Sequence, residues 1–436
     1  MSPELVGVIG LCLLFVFIFL NMPIGFTMLF IGILGMFGIA GAKSALSTIA
    51  VEPFSVTSEY IFSVIPLFVF MGFIASHTGL SADAFYTINK WIGHLRGGIA
   101  GATSASCAVF AAICGDAIST ATTMSAVALP QMREYKYSDR LSLGTIAASG
   151  NLGFLIPPSI PFILYATLTE QSIGTLFISG ILPGIMLLFL FLATIFILIK
   201  INPQIASPAP KASWGERLKA SRYTFGLAII VMLVLGGIYG GIFTPTEAAA
   251  VGVFGVFVLG LINRRITRQG IGTSVSETAR MTGMIFILII GAVTFSRFMV
   301  ISEIPFILGA YISGLDIHVI YILVFCAIFY ILMGMIMDVM SIMLIVTPIL
   351  HPMLVGLGFD PIWLAAVTVV LIMIGQISPP VGIVVYALYG MVRDVPLFTI
   401  FRGALPFMGA MIVGLALLIA FPQIALFLPH LMKPSL

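Results

Sequence analysis

The sequence predicts an all-α polytopic membrane protein built from two inverted-topology repeats, each with five spans, a re-entrant hairpin and a broken helix. Three observations carry that reading. The 436 residues are 60% hydrophobic and only 8% charged, where soluble domains carry about 25% charged residues. Two otherwise apolar segments are interrupted by paired prolines, at Gly150–Ser159 and at Gly375–Gly382. An offset of 222 residues then lays the first half on the second, mapping Pro23 to Pro245, Asp116 to Asp338, Pro130 to Pro352 and Gly153 to Gly375. It also maps Pro157-Pro158 to Pro379-Pro380, and Gly180 and Pro183 match Gly403 and Pro406 after a one-residue slip.

Composition excludes other classes. Alternating apolar-out strands are absent, so a membrane barrel is not expected. A net charge of +3 is a topology signal here, with no nucleic-acid partner implied. Cys12, Cys107, Cys114 and Cys326 sit in apolar segments and read as small hydrophobes, not a disulfide framework or a metal site. The first basic residue is Lys43, so residues 5–20 read as a first span and not as a signal peptide.

Taken in order, spans are expected at 5–20 and 23–40. Residues 42–60 hold Lys43, Glu52 and Glu59 and read as interfacial; 61–77 spans again. Residues 79–98 have the apolar spacing of a helix lying on the surface. From 99 to 130 the one charge is Asp116. Folded at 113–118, that stretch gives two arms of about 22 Å, short of the roughly 30 Å hydrocarbon core. It reads as hairpin 1. The broken span 141–168 follows, because paired prolines remove two backbone donors and clash with the preceding turn. Freed backbone groups in lipid cost several kcal/mol each, so such a break must be buried in protein or line a site.

A span at 174–199 completes the repeat. Residues 200–222, with Pro203, Pro208, Pro210 and five basic residues, read as a cytoplasmic linker. The second repeat has spans at 223–242 and 246–262, a basic loop at 264–280, a span at 281–299 and an amphipathic piece near 303–315. Hairpin 2 follows at 319–352 around Asp338, then the broken span 361–390, a last span at 403–421 and a tail at 422–436. Five crossings per repeat, an odd number, invert the second copy. With the N-terminus outside, sixteen of the 19 basic residues fall on the cytoplasmic side.

Two interrupted spans at matching places mark a transporter's binding site. Asp116 and Asp338 stand at the hairpin turns. Intramembrane charges mark ion pathways, and an aspartate there also caps a half-helix; both readings stay open. Around the tips lie Ser119, Thr120, Thr122, Thr123 and Ser341. On the breaks lie Asn151, Ser159, Gln376 and Ser378. Sodium is a hard cation, and unwound carbonyls, hydroxyls and carboxylates supply the oxygen it takes. Half-helix N-termini suit an anionic substrate. One sodium site per half is expected. The first is Gly115, Asp116, Ser119, Gly150, Asn151 and Gly153; the second is Gly334, Asp338, Gly375 and Ser378. Substrate would lie between the tips, near Thr120, Pro158 and Pro380. Sodium acts as coupling ion, with no cofactor and no transition metal. His77, His94, His318, His351 and His430 form no ligand pair on a helix face, and no phosphate loop, zinc-protease motif or nucleophile elbow occurs. An intramembrane enzyme is therefore disfavoured, and the breaks argue against an uninterrupted ion channel.

Cys114–Met124, Gly144–Ser159, Thr169–Gly174, Thr244–Ala250, Gly334–Asp338 and Gly375–Gly382 together resemble the motifs of the large (DctM-like) membrane subunit of tripartite ATP-independent periplasmic (TRAP) transporters. The resemblance covers essentially the whole chain. Asp338 fits the family's usual pattern, while Asp116-Ala117 stands where it often has two serines. The resemblance implies a secondary transporter of the ion-transporter superfamily, in the bacterial inner membrane, taking up a small carboxylate or sulfonate with sodium by an elevator motion. It also implies two partners, a periplasmic substrate-binding protein and a small four-helix membrane subunit, here expected as a separate chain. The alternative is a stand-alone sodium/dicarboxylate symporter of the same superfamily. The implied division is scaffold and arm over 1–98 and 223–318, and transport domain over 99–199 and 319–421.

Overall fold

The computed structural model describes residues 2–20, 22–307 and 318–432, and among them the only regular elements are helices. The first repeat begins with α1 (Pro3–Phe19), α2 (Ile24–Ser58) and α3 (Val64–His77). Gly41 sits inside α2 with φ 81° and ψ 174°. This left-handed φ, open to glycine, divides the helix where the sequence turned from apolar to polar. The amphipathic arm α4 (Leu80–Ile92) follows. Hairpin 1 is α5 (Gly98–Cys114) and α6 (Ala117–Glu134), folding back at Gly115-Asp116. The broken span is α7 (Asp139–Gly150) and α8 (Ile160–Thr169), joined by a 3-10 turn and the two prolines; α9 (Ile173–Ile201) closes the repeat.

The second repeat has α10 (Trp214–Tyr239), α11 (Pro245–Ile262) and α12 (Arg268–Ile301). Hairpin 2 is α13 (Val319–Ile336) and α14 (Val339–Gly356), with Met337-Asp338 at the turn. The second broken span is α15 (Pro361–Ile377) and α16 (Ile383–Met391), followed by α17 (Leu397–Ala420) and α18 (Gln423–Met432). Both paired prolines are joined by cis peptide bonds, Pro157-Pro158 and Pro379-Pro380.

Three polar stretches differ from the sequence expectation. The 200–222 stretch is irregular only as far as Ser213; α10 takes up the rest. A capping box between Ser213 and Glu216 starts that helix. The arm α4 then covers it: Thr87 Oγ1 donates to the Ala220 carbonyl at 2.8 Å, and Trp91 Nε1 donates to Ser221 Oγ at 3.0 Å. The basic loop 264–280 is likewise helical from Arg268 onward, opened by Thr267, whose Oγ1 accepts from Gly270 N at 3.0 Å. The 422–436 tail contains α18, which buries Ala425, Leu426 and Pro429 and packs on α9. The piece near 303–315 is helical over 304–307; its remainder, from 308, lies outside the described residues.

The helices form two packed groups. The long pair α2 and α12 lie along one another, with Gly25 pressed against Gly291 and Gly35 against the Phe298 ring. Helices α1, α3, α10 and α11 join this group. The other group interleaves the repeats: α7 packs on α17, α13 on α15, and α9 on both α15 and α17. Its central crossing places Gly144 against Gly403, and a Cβ on Gly403 would run into the Arg140 carbonyl. At the pseudo-twofold, Asn151 Nδ2 donates to the Met373 carbonyl at 3.0 Å, across a separation of 222 residues. Asn151 therefore bonds its own repeat mate.

The glycine crossing can be tested directly. Gly403→Val should lower the melting temperature of the purified protein in detergent, at a cost of about 1–3 kcal/mol. Gly409→Ala, where a Cβ would meet nothing within 4 Å, should melt within about 0.5 kcal/mol of the parent.

Candidate functional site between the hairpin tips

Each hairpin tip is fastened to the broken span of its own half. At the first, α5 stops at Cys114 and Gly115 turns left-handed, φ 63°. A Cβ there would lie 2.5 Å from the Pro158 carbonyl, so only glycine fits. The Gly115 carbonyl accepts from Ile160 N at 3.3 Å. Asp116 caps α6: its Oδ2 accepts from Ser119 N at 2.7 Å. Thr120 Oγ1 donates to the Asp116 carbonyl at 2.6 Å. Gly153 and Gly150 let the break approach; Cβ atoms on them would stand 2.8 Å from the Asp116 carbonyl and 2.6 Å from the Ala121 Cβ.

The second tip does the same work with different groups. Asp338 caps α14, accepting from Met340 N at 3.1 Å, from Ser341 N at 3.2 Å and from the Ser341 hydroxyl. Gln376, on the break, reaches the tip: its Nε2 donates to the Met337 carbonyl at 2.8 Å and lies 3.3 Å from the Gly334 carbonyl. Gly334 and Gly375 pack backbone to backbone, with a Gly375 Cβ falling 2.6 Å from Gly334 Cα. Gly382 N donates to the Met335 carbonyl at 3.2 Å. Ser378 Oγ turns back to the Ile374 carbonyl at 2.6 Å.

Between the two tips and α12 lies a cavity of about 390 Å³. Asp116 and Ser119 of the first tip, Asp338 of the second and Gln376 of the second break line it. Across from them stand Phe73 of α3 and Glu277, Arg280, Met281 and Met284 of α12. The remaining expected ion-site residues do not reach the cavity wall. Gly115, Gly150, Asn151 and Gly153 pack behind the first tip, and Gly334, Gly375 and Ser378 behind the second. Thr120 and Pro158 are buried and Pro380 is exposed, and none of the three lines the cavity. Asn151 is fully buried, and its Oδ1 has no partner among the described residues. The contribution of α12 was missed from sequence because Arg280 read as part of a basic loop. Only the helical extension down to Arg268 brings Glu277 and Arg280 against the tips.

The family profile of the "Tripartite ATP-independent periplasmic transporter, DctM component" matches residues 11–424. The chain belongs to this family. It is 31% identical over 401 residues to a C4-dicarboxylate TRAP transporter large permease protein of Pseudomonas aeruginosa, covering 90% of this chain and 93% of that one. It is 32% identical over 401 residues to an ectoine TRAP transporter large permease protein of Halomonas elongata, covering 92% and 93%. Among solved structures, the Alcanivorax borkumensis YdaH transporter superposes with a TM-score of 0.58 at 16% identity, over 88% of this chain and 90% of that one; the likeness is one of fold. A TRAP large permease is a transporter component, not an enzyme, and the family is one part of a tripartite system. The tip and break motifs therefore sit in a membrane permease.

The aspartate caps predict a clean split between two substitutions. Asp338→Asn keeps an oxygen that accepts the Met340 and Ser341 amides, so in sodium-free potassium buffer its melting temperature should stay near the parent's. Asp338→Ala should lose about 1 kcal/mol in the same buffer, read as a lower melting temperature.

Proposed function

We propose that this TRAP permease imports a small organic anion, a carboxylate or sulfonate, against its gradient by coupling it to inward sodium movement. The observation that carries this is the meeting of both hairpin tips, each bearing an aspartate, in the lining of one cavity. Asp116 and Asp338 give that cavity hard anionic oxygen. The buried, unpartnered Asn151 Oδ1 and the carbonyls of the unwound first break offer more beside the first tip. One sodium ion per half would use these groups: Gly115, Asp116, Ser119, Gly150, Asn151 and Gly153 in the first, and Gly334, Asp338, Gly375 and Ser378 in the second. The named cargo of the first relative, a C4-dicarboxylate, is an anion and supports the substrate class; ectoine, named for the second, shares the carboxylate but is a zwitterion. Each net positive charge carried inward contributes about 2.3 kcal/mol per 100 mV.

The substrate reaches the permease from a periplasmic binding protein, and a small membrane subunit supports the scaffold. The group of α1–α3 and α10–α12 is the fixed scaffold; the interleaved group carrying hairpins and breaks slides against it. The amino terminus is periplasmic, so the polar segment before α10 and the first turns of α12 are cytoplasmic. On that orientation the cavity beside Glu277 and Arg280 faces the cytoplasm, and this is the inward-facing state.

Two experiments test the reading. Reporter fusions after Lys211 should score as cytoplasmic, and a periplasmic score would sink the orientation. Proteoliposomes holding the permease with both partners should take up the anion that stabilises the binding protein in a thermal-shift screen. Uptake should rise with sodium at constant ionic strength, and Asp338→Asn should need several-fold more sodium for half-maximal rate. Full uptake with potassium replacing sodium on both sides and no proton gradient would overturn sodium coupling.

A further inference from the structure

We infer that α12 supplies the anion's counter-charge at both ends of its path: Arg280 in the state seen here and Arg297 in the opposite one. The inference deepens the reading above and rests on it. The cavity between the tips is a poor place for an anion as it stands. Asp116, Asp338 and Glu277 all line it, and Arg280 is the one Lys or Arg among its lining residues. Arg280 is exposed and has no ion-pair partner among the described residues. Glu277 is already engaged, with its Oε2 2.9 Å from His77 Nε2.

A second cavity, of about 590 Å³, opens elsewhere along the boundary between the two helix groups. Glu52 and Glu59 at the end of α2 and Arg297 of α12 line its fixed side, and Thr167, Glu170 and Gln171 at the end of α8 line its moving side, so it too has three carboxylates around one arginine. Arg297 is again the one Lys or Arg among the lining residues. Its Nη2 pairs with Glu52 Oε1 at 2.6 Å, with the Glu52 side chain 3% exposed and that of Arg297 57% exposed. A guanidinium has five N–H donors in a planar fork. One amino group is ion-paired to a buried carboxylate while the side chain stays largely exposed, which leaves donors for a second carboxylate or a sulfonate.

The two arginines lie along the direction in which the carrier slides. Arg280 and Arg297 are seventeen residues apart on one helix, about 25 Å. Glu170 lies about ten residues beyond the break along α8, about 15 Å. A slide of about 15 Å carries the break and its hairpin tip part of the way from Arg280 toward the cavity that Glu170 and Arg297 both line. The fixed helix thus offers an arginine at each stop. The glutamate partner keeps Arg297 satisfied while the carrier is away.

The test reads local charge without needing the natural substrate. Ile118 and Thr167 line the first and second cavities respectively. Ile118→Cys and Thr167→Cys are made in the full chain with exposed Cys12 replaced by serine. Each is reacted in membrane vesicles of defined orientation with two methanethiosulfonate reagents, one bearing a sulfonate and one a trimethylammonium. Sulfonate-to-ammonium rate ratios should fall about threefold or more at Ile118→Cys with Arg280→Gln, and at Thr167→Cys with Arg297→Gln. Arg280→Lys and Arg297→Lys should hold the ratio. Because Arg297→Gln strands the buried Glu52, the pair Glu52→Gln with Arg297→Gln is compared with Glu52→Gln alone, and the same fall is expected. Ratios indifferent to loss of either arginine overturn this inference. Labelling of both reporters from the same membrane face instead overturns the two-sided carrier on which it rests.

Discussion

The structure depends on one constraint. Where a helix stops inside an apolar layer, the backbone groups it leaves open must be met by protein, at several kcal/mol apiece if they are not. This chain stops helices four times in that layer, at two hairpin tips and two breaks. It meets the constraint by joining them. The first tip gives its Gly115 carbonyl to Ile160 at the restart of the broken helix, and the second takes Gly382 N onto Met335. Such pairing requires backbones in contact, which is why glycines gather there: side chains at Gly115, Gly153, Gly334 or Gly375 would push tip and break apart. The aspartates then satisfy the N-terminal amides of the returning arms. Of the groups that solve the backbone problem, Asp116, Asp338 and Gln376 also line the cavity.

The two halves share geometry without sharing chemistry. Asp116 takes one amide and Asp338 takes two amides and a hydroxyl. In the first half a left-handed glycine closes the tip. In the second, Met337 is extended and the Gln376 amide reaches across to hold its carbonyl. Inverted symmetry therefore places two equivalent sockets around one cavity while leaving them chemically unequal. The Asn151–Met373 bond shows how close the repeats come, since each residue is the other's repeat equivalent. The Asn151 amide is engaged there through its nitrogen, and its Oδ1 has no partner among the described residues.

Hairpins and breaks were legible in sequence because proline and glycine change what the backbone can do whatever surrounds them. The division of α2 was legible from the change in polarity after residue 40, although Gly41 itself was not singled out. Helix ends at Trp214, Arg268 and Gln423 were not. Charged residues there lower the hydropathy, so segments that remain helical outside the apolar layer looked like loops or a tail. What makes 214–222 helical is a capping box plus the arm α4 lying on it, and the second of these is a tertiary fact. Glu52 shows the same limit. It read as an interfacial charge, yet it is buried and paired with Arg297, a residue about 245 positions away in sequence. Long-range pairing of that kind leaves no local pattern. The roles of Asp116 and Asp338 stayed open between cap and ligand, and both are caps; a carboxylate that caps with one oxygen keeps lone pairs for a cation.

On the proposed reading, that double duty explains why ion and anion would move together. With its carboxylates ionised, the cavity repels an anion, and Arg280 alone does not cancel three of them. Two sodium ions at the tips would reverse the balance. The anion would then bind better with sodium present, and by linkage sodium would bind better with the anion present, by the same factor. No contact between ion and anion is required for this. The coupling resides in the shared field of Asp116 and Asp338 across a small cavity, where screening by bulk water is incomplete. A carrier loaded with the anion alone would carry that charge on top of the two aspartates, all uncompensated against the apolar flank of α12, and its passage along that helix would be opposed. The same carboxylates would thus help to stop one leak of a coupled transporter, the crossing of the anion without sodium.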